Sequence, residues 1–262
     1  MSETFARVVC GVDNSEEGSA AARAASVLTL PDGSLTLVSV DDPTIAVGAG
    51  FQMAVVAATL VRDAESALDV GRLAAESRHA VHTRLLEGDA LRSLLDEIER
   101  TDATLAVVGS HGRSRAVGIA LGSVATHLLH EAPCSVLVVR ALPDTEQWPR
   151  SIVVGVDGSP ESAAAADVAR RVAARFDAAV RFVAATADPV DVEAAREIAP
   201  DLEDLPGRAV DELHVLSELS DLVVVGSRGL RGFRTLGSVS ERVAHDSLCS
   251  VLAVRFRKEK KS

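Results

Sequence analysis

Residues 8–22 read VVCGVDNSEEGSAAA. A short β-branched run, Arg7–Val12, breaks off at an acid and reads as a buried strand. Asp13-Asn14-Ser15 is a turn and a helix cap, and the Ala-rich run Glu16–Leu28 is the helix that it opens. Residues 153–166, VVGVDGSPESAAAA, repeat the same order of strand, acid, cap and alanine run. Two further blocks recur downstream in the same order. LAVVGSHGRSRAVGIALGS (105–123) returns as LVVVGSRGLRGFRTLGS (222–238), and CSVLVVR (134–140) returns as CSVLAVR (249–255). The chain is therefore a tandem duplication. The spacer ALPDTEQWPR (141–150) has two prolines and no periodicity, and reads as the linker.

Within the first copy, strands are expected at Arg7–Val12, Ser34–Val40, His82–Leu86, Leu105–Val108 and Ser135–Val139. Helices are expected at Glu16–Leu28, Ala90–Arg100 and Gly122–His130, with residues 44–79 a loop entering a long helix. Such alternation demands a parallel sheet covered on both faces. The fold class is α/β: two tandem open five-stranded parallel-sheet domains, Rossmann-like, over 1–140 and 151–257. The copies are unequal. Asp13 and Gly109 stand 96 positions apart, but Asp157 and Gly226 only 69, so the second copy has lost 27 residues from its middle. A shorter second helix is expected near Val190–Ala199. The third strand has only a poor candidate in Asp201–Leu205, which holds three acids in five residues.

Composition excludes several functions. A net charge of −11 argues against nonspecific binding to nucleic acid or to an anionic membrane surface. Aromatics at 3%, with no Tyr, remove the stacking platforms of single-strand binders. The lysines, Lys258, Lys260 and Lys261, all lie at the C-terminus, which leaves no Walker-type loop and no lysine for a Schiff base. Cys10, Cys134 and Cys249 lie far apart and read as thiols in a reducing compartment, so a cytoplasmic protein is expected. The opening MSETFARVVCGVD has no basic segment followed by an apolar run, as a secretion leader would. Thr44–Val61 carries no charge, but its Ala, Gly, Thr and Gln content argues against a membrane span.

Ligands of an open parallel sheet sit at the carboxyl ends of its strands, and two motifs fall there. Asp13 puts a carboxylate at the tip of the first strand. Gly109-Ser110-His111-Gly112, nine residues and then Gly122-Ser123 follow the fourth strand. Gly109 and Gly112 allow a close backbone turn, and Gly122-Ser123 opens a helix whose free N–H groups favour phosphate. Arg113 and Arg115 add positive charge between them. Either motif alone suits an ordinary strand-to-helix turn. Together, at adjacent strand ends, they point to a nucleotide site.

These motifs resemble those of the universal stress protein family, whose members carry a strand-Asp-x-Ser opening and Gly-2x-Gly-9x-Gly-Ser/Thr before a helix and a final strand. The resemblance covers nearly the whole chain and implies an ATP-binding stress-response protein without catalytic residues. The cofactor implied is ATP, with or without Mg. Asp13 and Val40 would hold the adenosine, and the glycine-loop amides and Ser123 the phosphates. The implied site comprises Asp13, Val40, Gly109, His111, Gly112, Arg113, Gly122, Ser123 and Val124. Copy two departs from the pattern: only seven residues separate Gly229 from Gly237. Its site, Asp157, Gly226, Gly229, Gly237 and Ser238, is expected to be weak or silent, with Ala185 or Thr186 in place of Val40.

Two readings from other classes remain open at this point, a slow ATP hydrolase or adenylate-transferring enzyme and a ligand-free partner-binding module. Ser110 and His111 are adjacent in sequence and are not expected to form a nucleophile–base pair. His127-x-x-His130-Glu131 lacks a partner cluster with zinc spacing, and no metal site is assigned. Asp41-Asp42 reads as the start of a solvated loop. As partners we expect an adenine nucleotide, no nucleic acid and no membrane. We also expect an internal pseudo-dimer joined through the final strands. A homodimer is expected through residues 44–61, where Met53–Ala58 is apolar around a full turn.

Overall fold

The structure, a computed structural model, describes residues 5–43, 53–75, 80–112, 121–140, 147–227 and 239–256. The chain divides into two compact units, with the boundary within residues 135–141. The first unit runs β1 (Arg7–Gly11), α1 (Glu16–Leu28), β2 (Ser34–Asp41), α2 (Met53–Ala74), β3 (Ala80–Glu87), α3 (Ala90–Arg100), β4 (Leu105–Gly109), α4 (Ser123–Glu131) and β5 (Ser135–Val139). Its strand order is β3-β2-β1-β4-β5. Strand β1 pairs in parallel with both β2 and β4. The chain steps outward from β1 to β3 and then returns across β1 to β4 and β5. Right-handed crossovers put α1 and α2 on one face and α3 and α4 on the other. Contacts of α1 with α2, and of α3 with α4, agree with that division. The reversal of direction opens a crevice between the ends of β1 and β4.

The sequence builds this framework with small residues and caps. Ala20, Ala21, Ala22, Ala24 and Ala25 are all buried on α1, so the helix lies close to the sheet. Its cap, Ser15, accepts from Gly18 N at 2.9 Å, and Asp89 Oδ1 accepts from Arg92 N at 2.9 Å to start α3. The core is aliphatic: Leu35, Leu37, Leu105 and Leu137 are wholly buried. Each contributes about 1.5–3 kcal/mol relative to exposure.

The second unit runs β6 (Ser151–Gly155), α5 (Pro160–Phe176), β7 (Ala179–Ala185), α6 (Val192–Ile198), β8 (Glu203–Leu205), α7 (Ala209–Ser217), β9 (Leu222–Ser227), α8 (Val239–Asp246) and β10 (Ser250–Arg255). The order β8-β7-β6-β9-β10 reproduces that of the first unit. Much of the length lost from the second copy lies between the second and third strands. There α6 has 7 residues where α2 has 22, and β8 has 3 where β3 has 8.

The poor candidate Asp201–Leu205 does contain the missing strand. Its acids are compatible with a strand because β8 is an edge. Glu203 pairs with Arg181 of β7 at 2.8 Å, and Asp204 pairs with Arg196 of α6. The register also decides between Ala185 and Thr186. Gly11 pairs with Val38 and Gly155 with Val183, so Ala185 is the counterpart of Val40.

Of the uncharged stretch, Met53–Val61 forms the start of α2, and residues 44–52 lie outside the described residues. Among the described residues, no helix is long and apolar enough to cross a membrane.

One buried carboxylate ties the far face of the first unit together. Glu97 of α3 is 2% exposed and accepts from Arg100 Nε at 2.8 Å and from Arg100 Nη2 at 2.6 Å. These bonds, aided by Arg84 at 3.9 Å, hold its carboxyl below the usual glutamate range against the opposing effect of burial. A depressed folded-state pKa stabilises above the unfolded value and stops doing so as pH falls through the folded one. Glu97→Gln should therefore cost about 1–3 kcal/mol in urea unfolding near neutral pH. The gap from the native chain should persist above about pH 5 and close as pH falls below about 4.

Candidate functional site

At the crevice between β1 and β4 lies a cavity of about 310 Å³. Of the nine residues assigned to the first site by sequence, eight line it: Asp13, Val40, Gly109, His111, Gly112, Gly122, Ser123 and Val124. Arg113 lies outside the described residues. Strand β1 ends in Gly11, and Asp13 follows two residues later. The Asp13 carboxylate turns back over the first turn of α1. Its Oδ1 accepts from Ser15 N at 3.2 Å and, at closer range, from Ser15 Oγ.

Two glycines make room for that carboxylate. A Cβ on Gly112 would stand 2.7 Å from Asp13 Oδ2, and one on Gly18 would stand 2.6 Å from both Asp13 O and Asp13 Oδ1. Gly18 was not among the sequence candidates. Its signal was a glycine in the first turn of an otherwise alanine-rich helix, where it weakens helix propensity. Gly109 serves a different purpose from the close turn expected of it. A Cβ there would stand 2.9 Å from Glu17 Cβ and 3.0 Å from Glu17 C, so this glycine lets α1 rest against β4.

The opposite wall is the start of α4. Its N-cap is Gly122, which has no side chain to bond the first turn, whereas Ser15 and Asp89 cap α1 and α3 through side-chain oxygens. Ser123, Val124 and Ala125 of that first turn line the cavity. The terminus is held in place by Gly122 N, which donates to Ser110 O at 2.7 Å, and Ser110 N donates to Val139 O at 2.8 Å. A helix N-terminus without a side-chain cap suits an anion.

Sequence reasoning also missed the walls that come from helices. Asp63, Ala64 and Ala67 of α2, and Ala90 and Leu94 of α3, line the cavity. Asn14 Nδ2 donates to Asp63 O at 2.8 Å, which fastens α2 to the β1 loop. No motif marks these residues. Their only signal is the helical spacing of Ala64, Ala67 and Leu68, which are all buried.

Ser110 Oγ lies 3.1 Å from His111 Nδ1, so the two neighbouring side chains meet. Ser110 is nevertheless only 2% exposed and does not line the cavity. Cys10, on β1 beside the site, is wholly buried, and burial pushes its thiol far above the ordinary range, so it stays protonated. His127 Nδ1 lies 2.7 Å from Ser123 O, a bond within α4. Asp41 ends β2 rather than opening a solvated loop, and its Oδ1 is buried with no hydrogen-bond partner among the described residues.

In the second unit Asp157 follows β6 in the same way and accepts from Ser159 N at 3.0 Å. Ser162 replaces Gly18, and Asp157 is exposed. Asp191, the cap of α6, donates from its backbone N to Asp157 O at 3.1 Å. Gly158, at a φ of +83°, leaves no space there, since a Cβ would meet Asp191 O at 2.6 Å. Gly226 keeps the packing role of Gly109, against Glu161 C at 2.6 Å. Gly229, Gly237 and Ser238 lie outside the described residues.

Comparison with known proteins bears on the family and the fold. The family model described as "Universal stress protein family" matches residues 4–140 and 201–255. A universal stress protein of Mycolicibacterium smegmatis is 31% identical over 98% of this chain and 99% of its own. One from Mycobacterium tuberculosis is 31% identical over 67% of this chain and 68% of its own. Among solved structures, a universal stress protein from Archaeoglobus fulgidus superposes with a TM-score of 0.73 at 17% identity, over 97% of both chains. A putative universal stress protein from Pseudomonas aeruginosa gives 0.66 at 18% identity, over 96% of this chain and 93% of that one. These two likenesses concern the fold. Both halves of the sequence and the strand order lead to one conclusion: the chain belongs to the universal stress protein family.

Proposed function

We propose that the first unit binds ATP in the crevice between β1 and β4, and that the chain is a nucleotide-responsive regulator in the stress response rather than an enzyme. The observation that carries this reading is the first turn of α4, which lines the cavity with no side-chain cap on its N–H groups. In this reading those groups and Ser123 take the phosphates, with or without Mg as counter-ion. Asp13 takes ribose or base donors, and Val40, with Val38 and Leu94, forms the apolar wall for the base. The volume of about 310 Å³ suits a small molecule. A reducing, cytoplasmic setting is proposed with it, since Cys10, Cys134 and Cys249 form no disulfide. The second unit, with Asp191 against its Asp157 loop and Ala185 in place of Val40, is proposed to hold no nucleotide.

A homodimer belongs to the same reading. On α2, Ala64, Ala67, Leu68 and Gly71 are buried, whereas Val55 is 69% exposed near the start of the helix. A second copy of the chain would cover that end. Val55→Asp with Val56→Asp should give monomers of unchanged circular dichroism. Sedimentation of the native chain as a monomer at micromolar concentration would exclude the dimer.

Calorimetric titration of the native chain with ATP should give about one nucleotide per chain, since one cradle is intact. Gly122→Val would bring a branched side chain into the cradle, where even a Cβ comes within 3.3 Å of Ser110 O. Its affinity should fall by about tenfold or more. Two equivalent sites, or an unchanged affinity in Gly122→Val, would refute the placement.

A further inference from the structure

The second unit carries an exposed apolar patch where α7 and α8 end. Val215 is 58% exposed, Leu219 84% and Leu248 56%. Val215 and Leu219 stand one helical turn apart at the end of α7, and Leu248 follows α8. Two bonds bring these segments together. Leu248 N donates to Ser217 Oγ at 2.9 Å, and His214 Nδ1 lies 2.6 Å from Asp246 O. Ser217 is itself held, since its Oγ donates to His214 O at 2.6 Å. The patch is therefore a fixed surface before any partner arrives. The first unit carries charge at the same place. A Cβ on Gly11 would stand 3.1 Å from Leu94 of α3, and one on Gly155 would stand 3.3 Å from Leu213 of α7, so these two leucines correspond. Counting onward from them, Asp96 and Arg100 stand in the first unit where Val215 and Leu219 stand in the second, all four exposed.

The surroundings of the patch are acidic. Residues 209–221 and 239–248 hold six carboxylates and a single guanidinium, that of Arg242. Asp211 precedes Val215 by one turn, Glu218 precedes Leu219, and Asp246 ends α8; all three acids are exposed. The C-terminal ends of the two helices add partial negative charge. We propose that Val215, Leu219 and Leu248 dock a basic amphipathic helix of a partner protein, with its aliphatic side chains on the patch and its lysines or arginines towards Asp211, Glu218 and Asp246. Such a helix presents apolar residues one turn apart, which is the spacing of Val215 and Leu219. A second copy of the chain would set acid against acid at this patch, with −11 on each chain, and an anionic membrane would meet the same repulsion. Three aliphatic side chains expose a few hundred Å², below the about 800 Å² per partner of a stable interface, so the contact is with a short segment and is transient.

The test titrates the full chain into a fluorescently labelled peptide of about 14 residues, made of leucine and lysine and patterned as an amphipathic helix, and reads anisotropy. A peptide of the same pattern with glutamate for lysine, and a peptide of the chain's own residues 255–262, RFRKEKKS, are compared with it. The chain is tested as the native form, as Val215→Asp/Leu219→Arg and as Asp211→Asn/Glu218→Gln. The first variant takes the residues that the first unit carries at these places and leaves the net charge unchanged, so its circular dichroism should match the native chain. It should weaken the leucine–lysine peptide about tenfold or more. The second variant keeps the apolar surface. It should weaken the peptide about threefold and flatten the dependence on salt. The glutamate peptide should not bind. An unchanged affinity in Val215→Asp/Leu219→Arg, equal binding of the two patterned peptides, or no binding of the leucine–lysine peptide by the native chain would overturn the inference. So would tighter binding of RFRKEKKS, which would assign the patch to the chain's own residues. Self-association of the native chain that is lost in Val215→Asp/Leu219→Arg would assign it to a second copy and overturn the inference as well.

Discussion

The absence of a side chain at Gly109 lets the first turn of α1 rest on the end of β4, with Glu17 backbone where a Cβ would have stood. The site follows from that contact. With α1 seated there, its cap Ser15 and the preceding Asp13 come to the mouth of the crevice, and the carboxylate bends back over the helix start. Gly18 and Gly112 then leave that carboxylate the space it occupies. On the other side, the bond from Gly122 N to Ser110 O sets the start of α4 against the same opening. The cavity is thus bounded by an acid from one strand end and a helix N-terminus from the next. The topological reversal between the paired strands β1 and β4 sends the loops that follow them to opposite faces of the sheet, and the crevice lies between those loops.

The second unit keeps the packing contact but differs around its first loop. Gly226 meets Glu161 as Gly109 meets Glu17, so α5 is seated as α1 is. Ser162 stands where Gly18 leaves room, however, and Asp157 is exposed. The short α6 begins at Asp191, whose backbone bonds to Asp157 O. In the first unit Asn14 reaches across to Asp63 O of a helix three times as long. Loss of the middle segment therefore changes what the loop after the first strand touches as well as the length. One duplication has thus yielded two units whose loops after the first strand are held differently, by Asp63 O in the first and by Asp191 N in the second.

Much of this was legible in the sequence. The limits of α1 and α3 could be read directly, because each starts at a side-chain cap, Ser15 or Asp89, followed by a regular apolar pattern. Asp13 and the glycine turns were legible because repetition and spacing mark them, and Val40 was reached only through the family resemblance. Strand β8 was not, since an edge strand of three residues can carry acids that pair outward with Arg181 and Arg196. Ala185 and Thr186 could not be separated until strand register was known. Residues from α2 and α3 reach the cavity only through packing, which leaves no motif. The Ser110–His111 bond left no motif in the sequence, where the two residues were weighed only as a nucleophile–base pair. At the end of a strand, the backbone turns enough to bring them within 3.1 Å.

The central claim is that one nucleotide occupies the crevice of the first unit. Hydrogen–deuterium exchange with and without ATP tests it most directly, because it reports both occupancy and place. The account predicts slowed exchange in the amides of Ser123–Ala125 and of the β1 end through Asn14, with no change in the loop around Asp157. No protection anywhere at saturating ATP, or protection centred on the Asp157 loop, would contradict it.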